Sequence, residues 1–315
     1  MDRSVPASVT VRAPAKVNLA LSVGPLRDDG FHELGTVFHA VSILDTLVAT
    51  ETPSGHGVSL TVEGEDIGAV PTDATNLAWA GAELVAEAIG RPCDVHLHLS
   101  KNIPVAGGMA GGSADAAAAL VACDALWDGG LGRQRLESLA VQLGSDVPFA
   151  LHGGTAIGRG RGEQITPALA RGEYHWVFAL ADWGLSTPDV YAECDRLRGA
   201  GEVAEPGVSD ELMTALRSGD ASAVGANLHN DLQEAALSLR PRLRLVLEAG
   251  QDAGALGAVV SGSGPTCAFL ARDDEQAIDV AVGLSASGVC RTVKRATGPV
   301  HGARVVEIVG SPGIP

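Results

Sequence analysis

The stretch Pro104-Val-Ala-Gly-Gly-Met-Ala-Gly-Gly-Ser-Ala-Asp115 constrains this chain more than any other. Gly107, Gly108, Gly111 and Gly112 lack the Cβ atoms that would hold a ligand away from the backbone. From Ser113 to about Trp127 the sequence is rich in alanine and favours a helix. A glycine loop feeding a helix N-terminus leaves unpaired N–H groups and the positive end of the helix dipole facing one spot, which suits an anion. No Lys-Ser/Thr pair closes the loop as in G-x-x-x-x-G-K-[ST], and it is not a G-x-G-x-x-G run following a strand. Taken alone, the stretch reads either as a phosphate cradle or as a glycine-rich turn with Ser113 as a plain N-cap.

A phosphate site must contend with the overall charge. With 22 Lys and Arg against 38 Asp and Glu, the net charge is −16. Such a surface repels nucleic acid and anionic membrane, so neither is expected as a partner. Any anion site must therefore be locally positive, through backbone N–H groups, a few Lys or Arg and a divalent cation. The chain is 46% hydrophobic but only 3% aromatic, so its core is expected to be mostly Ala, Val and Leu. The five cysteines are scattered without a C-x-x-C pair, which points to a reduced compartment. The N-terminus lacks a signal pattern, and no apolar run reaches the roughly 18 residues of a spanning helix. The expectation is a soluble, cytoplasmic protein.

The organisation predicted from periodicity is α+β. Residues 8–12, 17–23 and 32–48 read as strands, with Asp28-Asp29-Gly30 as a hairpin turn. A helix over 75–89 and a strand over 94–99 lead into the glycine loop, followed by helices near 113–127 and 133–143. Further on, strands are expected at 174–180, 255–260, 266–271 and 289–296. Helices are expected near 188–198, 209–218, 221–249 and 274–286. That order resembles a split βαβ arrangement. Two domains follow, 1–160 and 161–315, the second ending in a peripheral tail from Gly298. A ligand site is expected between them.

Three separated segments then align: Pro14-Ala-Lys-Val-Asn-Leu19, the loop beginning at Pro104, and Ser261-Gly-Ser-Gly-Pro-Thr-Cys-Ala-Phe269. In this order they resemble the GHMP kinase superfamily of small-molecule kinases. Asp29-Gly-Phe-His-Glu33 and Leu143-Gly-Ser-Asp-Val-Pro-Phe149 narrow the likeness to a branch with a cytidine-bearing substrate. The resemblance implies a ribosomal S5 domain 2-like N-terminal domain and a ferredoxin-like C-terminal domain. It also implies transfer of the γ-phosphate of ATP, with Mg²⁺, to the 2-hydroxyl of a cytidine diphosphate-linked methylerythritol in non-mevalonate isoprenoid synthesis. Two alternatives are a kinase of the same family with a homoserine- or mevalonate-type acceptor, and a catalytically silent ligand sensor on this fold. Nothing in the sequence points to an oligomeric state.

The resemblance makes Lys16 and Asp146 the catalytic pair. From the residues alone, Lys16 is equally an edge-strand lysine, and Asp146 equally an N-cap before Pro148. The functional alternatives are a cation for the γ-phosphate and a general base for the acceptor hydroxyl. The nucleotide is assigned to Pro104, Val105, Ala106, Gly107, Gly108, Met109, Ala110, Gly111, Gly112, Ser113 and Ala114, with Asn76, Leu77 and Lys101 near the adenine. Ser113 is the one candidate for reaching Mg²⁺ bound to ATP, and Ala114 stands where many relatives carry a second serine. Asp115 is expected to support the helix dipole. The resemblance places His32 on the cytosine edge, with Phe31 and Tyr191 stacking on the two faces of the ring. Phe31 replaces a tyrosine common in the family. Asn18 is assigned to the substrate side. Arg159 and Arg161 read either as diphosphate contacts or as a surface hinge. His96 and His98 share a strand face without a third metal ligand, so they are read as surface residues.

Overall fold

The structure, a computed structural model, describes residues 7–65, 67–105, 107–199 and 201–310. Long runs of β-branched and apolar residues near the N-terminus form a hairpin of β1 (Ser8–Leu26) and β2 (His32–Glu51). The strands expected at 8–12 and 17–23 leave Pro14 in the gap between them. Instead β1 runs through it, because the β1–β2 register shifts between Pro14 and Ala15 and a proline is tolerated at such a bulge. A second shift falls between Asn18 and Ala20. Lys16 and Asn18 therefore lie between two bulges, which bend the strand and re-aim its side chains. With their period of two, both point to the same face.

The chain continues through β3 (Val58–Gly64), α1 (Leu77–Ile89) and β4 (Val95–Lys101). Strands β3 and β4 pair in parallel and β4 pairs antiparallel with β2. Then come α2 (Gly111–Leu126), α3 (Arg133–Leu143), α4 (Val147–His152), β5 (Thr155–Arg159) and β6 (Gln164–Pro167). The alanine run has a packing reason. Ala114, Ala116, Ala117, Ala118, Ala119 and Ala122 are all buried, because α2 lies against β1, β2 and three neighbouring helices. Small side chains allow that close approach on every side.

The second part begins with β7 (Tyr174–Leu180), α5 (Thr187–Arg198), α6 (Asp210–Ser218) and α7 (Ala221–Ala226). It continues with β8 (His229–Asn230), α8 (Gln233–Leu239) and α9 (Arg242–Asp252). The single helix expected over 221–249 is thus three. The chain leaves α7 at Asn227 and pairs with β1 through β8, and Pro241 cannot continue α8. Strands β9 (Gly257–Val260) and β10 (Cys267–Ala271), helix α10 (Asp274–Ser287) and strand β11 (Thr292–Gly298) complete an antiparallel sheet ordered β11-β7-β10-β9. This is the ferredoxin-like arrangement expected.

The tail differs from its expectation. After β11 it returns to the first sheet, where β12 (Arg304–Val309) pairs antiparallel with β1. The eight-stranded sheet runs β12-β1-β2-β4-β3, with β5 on β2, β6 on β5 and β8 on β1. Three of its strands, β6, β8 and β12, lie beyond residue 160. The largest buried cluster also spans both parts, joining Val17, Val41 and Leu120 to Trp176, Phe178 and Leu270. The hairpin floor and the Ser261–Pro265 turn are thereby held against each other. No helix among the described residues is long and apolar enough to cross a membrane.

Candidate active site

The glycine loop sits between the two parts. Helix α2 starts at Gly111, with Ala110 at the capping position in a left-handed conformation (φ 60°) and no side chain closing the helix end. Ser113 is therefore inside the first turn and is not the N-cap. The loop is anchored from both directions: Lys16 N donates to Met109 O at 3.2 Å, and Ser261 Oγ donates to Gly108 O at 3.2 Å. Gly108 has φ +73°, and a Cβ there would fall 2.3 Å from Ser261 O. Only glycine admits that backbone-to-backbone approach.

Two cavities flank the loop. One, of about 380 Å³, is lined by Pro104, Val105, Gly107 to Gly112, Asn76 and Leu77, with Ala69 to Pro71 as its far wall. The other, of about 640 Å³, contains Lys16, Asn18, Ser113 and Asp146. Gly108 and Ala110 line both, so the loop is the partition between them. Met109 meets the first cavity through its backbone, its side chain being buried in the core. Ala114 is fully buried and lines neither cavity, and Ala106 lies outside the described residues.

In the second cavity, Lys16 Nζ donates to Asn18 Oδ1 at 2.6 Å, and Asn18 Nδ2 donates to Thr36 Oγ1 at 2.8 Å. Thr36 in turn donates to Ala20 O at 2.7 Å. This buried relay leaves the ammonium one fixed position, 3.8 Å from Asp146 Oδ2. The Asp146 side chain makes no capping bond to α4 and stays 32% exposed, which removes its alternative role as an N-cap. The Ser261–Pro265 turn reaches the same spot: a Cβ on Gly262 (φ +58°) would lie 3.3 Å from Lys16 Nζ. A fixed ammonium beside a solvent-facing carboxylate can stabilise a transferring anion and accept a proton from an adjacent hydroxyl.

The far end of this cavity is aromatic. The His32 ring lies 5.1 Å from the Tyr191 ring, and its Nε2 is 3.0 Å from Asp195 Oδ1. Phe31 is 50% exposed, with the Arg161 guanidinium 4.6 Å above its ring. Burial, first of all, pushes the Tyr191 hydroxyl pKa up. Arg161 lines the cavity, whereas Arg159 is exposed at the end of β5.

Lys101 lines the first cavity with Asn76 and Leu77, beside which the adenine is expected. Its ammonium is held between Asp45 and Asp115, 2.5 Å from Asp115 Oδ2, with only 3% of the side chain exposed. It lies beneath the loop and is committed to two carboxylates. Asp45 also accepts from the backbone N–H of Asn102 and Ile103, which fixes the loop's entry. Asp115, expected to act on the helix dipole, is instead buried in this triad, and burial raises its pKa to about 7. Asn76 caps α1, accepting from Ala78 N at 2.8 Å and donating to Pro71 O at 2.7 Å. It shapes the first cavity by holding the 71–76 turn. His96 and His98 bond to Ser59 and Thr61 on the exposed face of β4.

Thr36, Asp45 and Asp195 were missed by sequence reasoning. Asp195 had a usable signal, since it lies one turn after Tyr191 on a helix and so shares its face. Thr36 and Asp45 gave none, being single polar residues in apolar strand runs. Among the described residues no group of three His, Cys, Asp or Glu side chains could hold a metal. The oxygens near the loop, Ser113 and Asp146, fit an ion held mainly by substrate phosphates, which is how Mg²⁺ is usually bound.

The chain is similar to known proteins over most of its length. Residues 76–154 match the GHMP kinases N terminal domain and residues 212–290 the GHMP kinases C terminal domain. The 4-diphosphocytidyl-2-C-methyl-D-erythritol kinase of Rhodococcus jostii (strain RHA1) is 56% identical over 303 residues, covering 96% of each chain. The protein of that name from Thermobifida fusca (strain YX) is 57% identical over 309 residues, covering 96% of this chain and 100% of its own. A crystal structure of 4-(cytidine 5'-diphospho)-2C-methyl-D-erythritol kinase superposes with a TM-score of 0.73 at 33% identity, covering 91% of this chain and 98% of that one.

Proposed function

The chain belongs to the GHMP kinases, and within them to the 4-diphosphocytidyl-2-C-methyl-D-erythritol kinases; from that premise we propose how its two cavities divide the reaction. The protein is an ATP-dependent small-molecule kinase that phosphorylates the 2-hydroxyl of 4-diphosphocytidyl-2-C-methyl-D-erythritol. One observation carries the assignment of sides: the glycine loop partitions the cavities, with the Lys16–Asp146 pair on the side away from Asn76.

In this reading the nucleoside of ATP occupies the cavity at Asn76 and Leu77, and its phosphates run along the loop onto the open end of α2. Backbone N–H groups and the helix dipole supply positive potential there, which a surface of charge −16 does not. Mg²⁺, carried on the phosphates with Ser113 within reach, would offset charge on their oxygens. The acceptor lies in the larger cavity with its 2-hydroxyl at Asp146. Asp146 accepts the hydroxyl proton while Lys16, held by Asn18, stabilises charge on the phosphoryl oxygens. The cytidine reaches Phe31, His32 and Tyr191, where stacking is available. A homoserine- or mevalonate-sized acceptor would leave that aromatic end empty, and a silent sensor would need neither Lys16 nor Asp146.

The test is turnover with ATP and Mg²⁺ on the cytidine compound, on homoserine and on mevalonate, with phosphorus NMR locating the product. A new phosphomonoester signal from the cytidine compound alone is expected. Phosphorylation of homoserine or mevalonate in its place would overturn the acceptor assignment. Nucleotide binding without transfer to any acceptor would favour the sensor.

A further inference from the structure

His32 and Asp195 carry an inference about how the acceptor's base is chosen. His32 Nε2 lies 3.0 Å from Asp195 Oδ1. A carboxylate has no hydrogen to give, so Nε2 carries a proton, and in that neutral tautomer Nδ1 is a bare acceptor. Nδ1 has no protein partner among the described residues, and the ring lines the larger cavity. Tyr191 fixes the ring's position from one face at 5.1 Å. Both Tyr191 and Asp195 come from α5, one turn apart, so a single helix face sets both the position and the protonation of the imidazole.

We propose that Asp195 is a specificity-determining positioning residue: by holding the His32 proton on Nε2, it makes Nδ1 an acceptor that selects a base with an exocyclic amine over one with a carbonyl. This rests on the reading of the aromatic end as the cytidine site and adds the residue and atom that discriminate. Cytosine and uracil have the same shape and both stack, so Phe31 and Tyr191 cannot separate them. They differ where cytosine donates from its 4-amino group and uracil presents an oxygen. A lone pair opposed to a lone pair in a buried site leaves both unpaired, which is the strong form of rejection.

The experiment measures kcat/KM for the cytidine diphosphate-linked acceptor and its uridine counterpart in the wild type, Asp195→Ala and Asp195→Asn. The wild type is expected to prefer cytidine by at least about 10²-fold. Asp195→Ala should cut that ratio at least about tenfold, through KM, with KM for ATP within about twofold of wild type. Asp195→Asn, whose amide oxygen still accepts from Nε2, should keep the ratio within about threefold. An unchanged ratio in Asp195→Ala overturns the proposal. So does a parallel loss for both pyrimidines and for ATP, which would mark a purely structural role. A wild type that uses both pyrimidines equally overturns it while leaving the kinase reading standing. No transfer to the cytidine compound would overturn that reading itself.

Discussion

At Asp146, exchanging one carboxylate oxygen for an amide removes charge and basicity but keeps the shape. Because this side chain makes no capping bond, Asp146→Asn should leave α4 and the melting temperature nearly unchanged. Turnover should fall by at least about 10²-fold, the usual scale for a positioned base, with KM for ATP preserved. Steady-state kinetics beside thermal denaturation checks this; near-normal turnover would return Asp146 to a structural role. Lys16 and Asp146 were legible because both stand in short motifs with distinctive neighbours. Their 3.8 Å approach was not, since 130 positions of chain separate them (146 − 16) and only the packing of β1 against α4 closes the gap. Lys101 is a similar case: its place before the loop predicts a position at the nucleotide cavity, which it lines, but not the two carboxylates, Asp45 and Asp115, that hold its ammonium.

Among elements, the glycine loop and the Ser261–Pro265 turn work as a pair. Gly108 is the contact point, so Gly108→Ala combines a left-handed backbone with a Cβ placed 2.3 Å from Ser261 O. The expected loss of stability is at least about 2 kcal/mol, read from urea denaturation. KM for ATP should rise more than KM for the acceptor, as the loop shifts off α2. A variant as stable and active as wild type would mean the loop is not clamped by the turn. The loop, α1, α2 and the four strands of the second sheet were readable because each carries its own periodicity or punctuation. The helix expected over 221–249 was misread for a physical reason: its residues favour helix locally, but β8 pairs with β1 across more than two hundred residues. Strands β3 and β12 escaped notice because they are short and half exposed.

Across the whole molecule, His39 reports on how the two sheets meet. It is fully buried on β2, its Nδ1 is 2.8 Å from Thr155 Oγ1, and Tyr174 and Trp176 of β7 and Gly298 of β11 lie against it. Burial lowers its pKa from 6.5 to about 3, against a smaller opposing effect of the Gly298 backbone. With the folded pKa below the unfolded one, the unfolded chain binds more protons between these values. Stability is then retained above pH 6.5 and lost as the pH falls towards 3. Between pH 6.5 and about 5 this single group should cost about 1.5 kcal/mol. His39→Gln should flatten the slope by that amount in denaturant midpoints taken across the range. Equal slopes in both proteins would mean His39 is protonated where it sits.

The sequence by itself determined the phosphate loop, the helix it feeds and the strands of the second sheet, and its family-like motifs marked Lys16, Asp146, His32 and Tyr191. Local propensity and glycine geometry suffice for the loop and the elements, whereas the four residues are marked only by the likeness of their motifs to a known family. Only the tertiary structure decided which side chains meet: the Lys16–Asn18–Thr36 relay, the Lys101 triad, the His32–Asp195 pair and the return of the tail to β1. Each is a contact between residues on different elements or at different bulge registers, and such contacts follow from how sheets and helices pack, which no local stretch of sequence encodes.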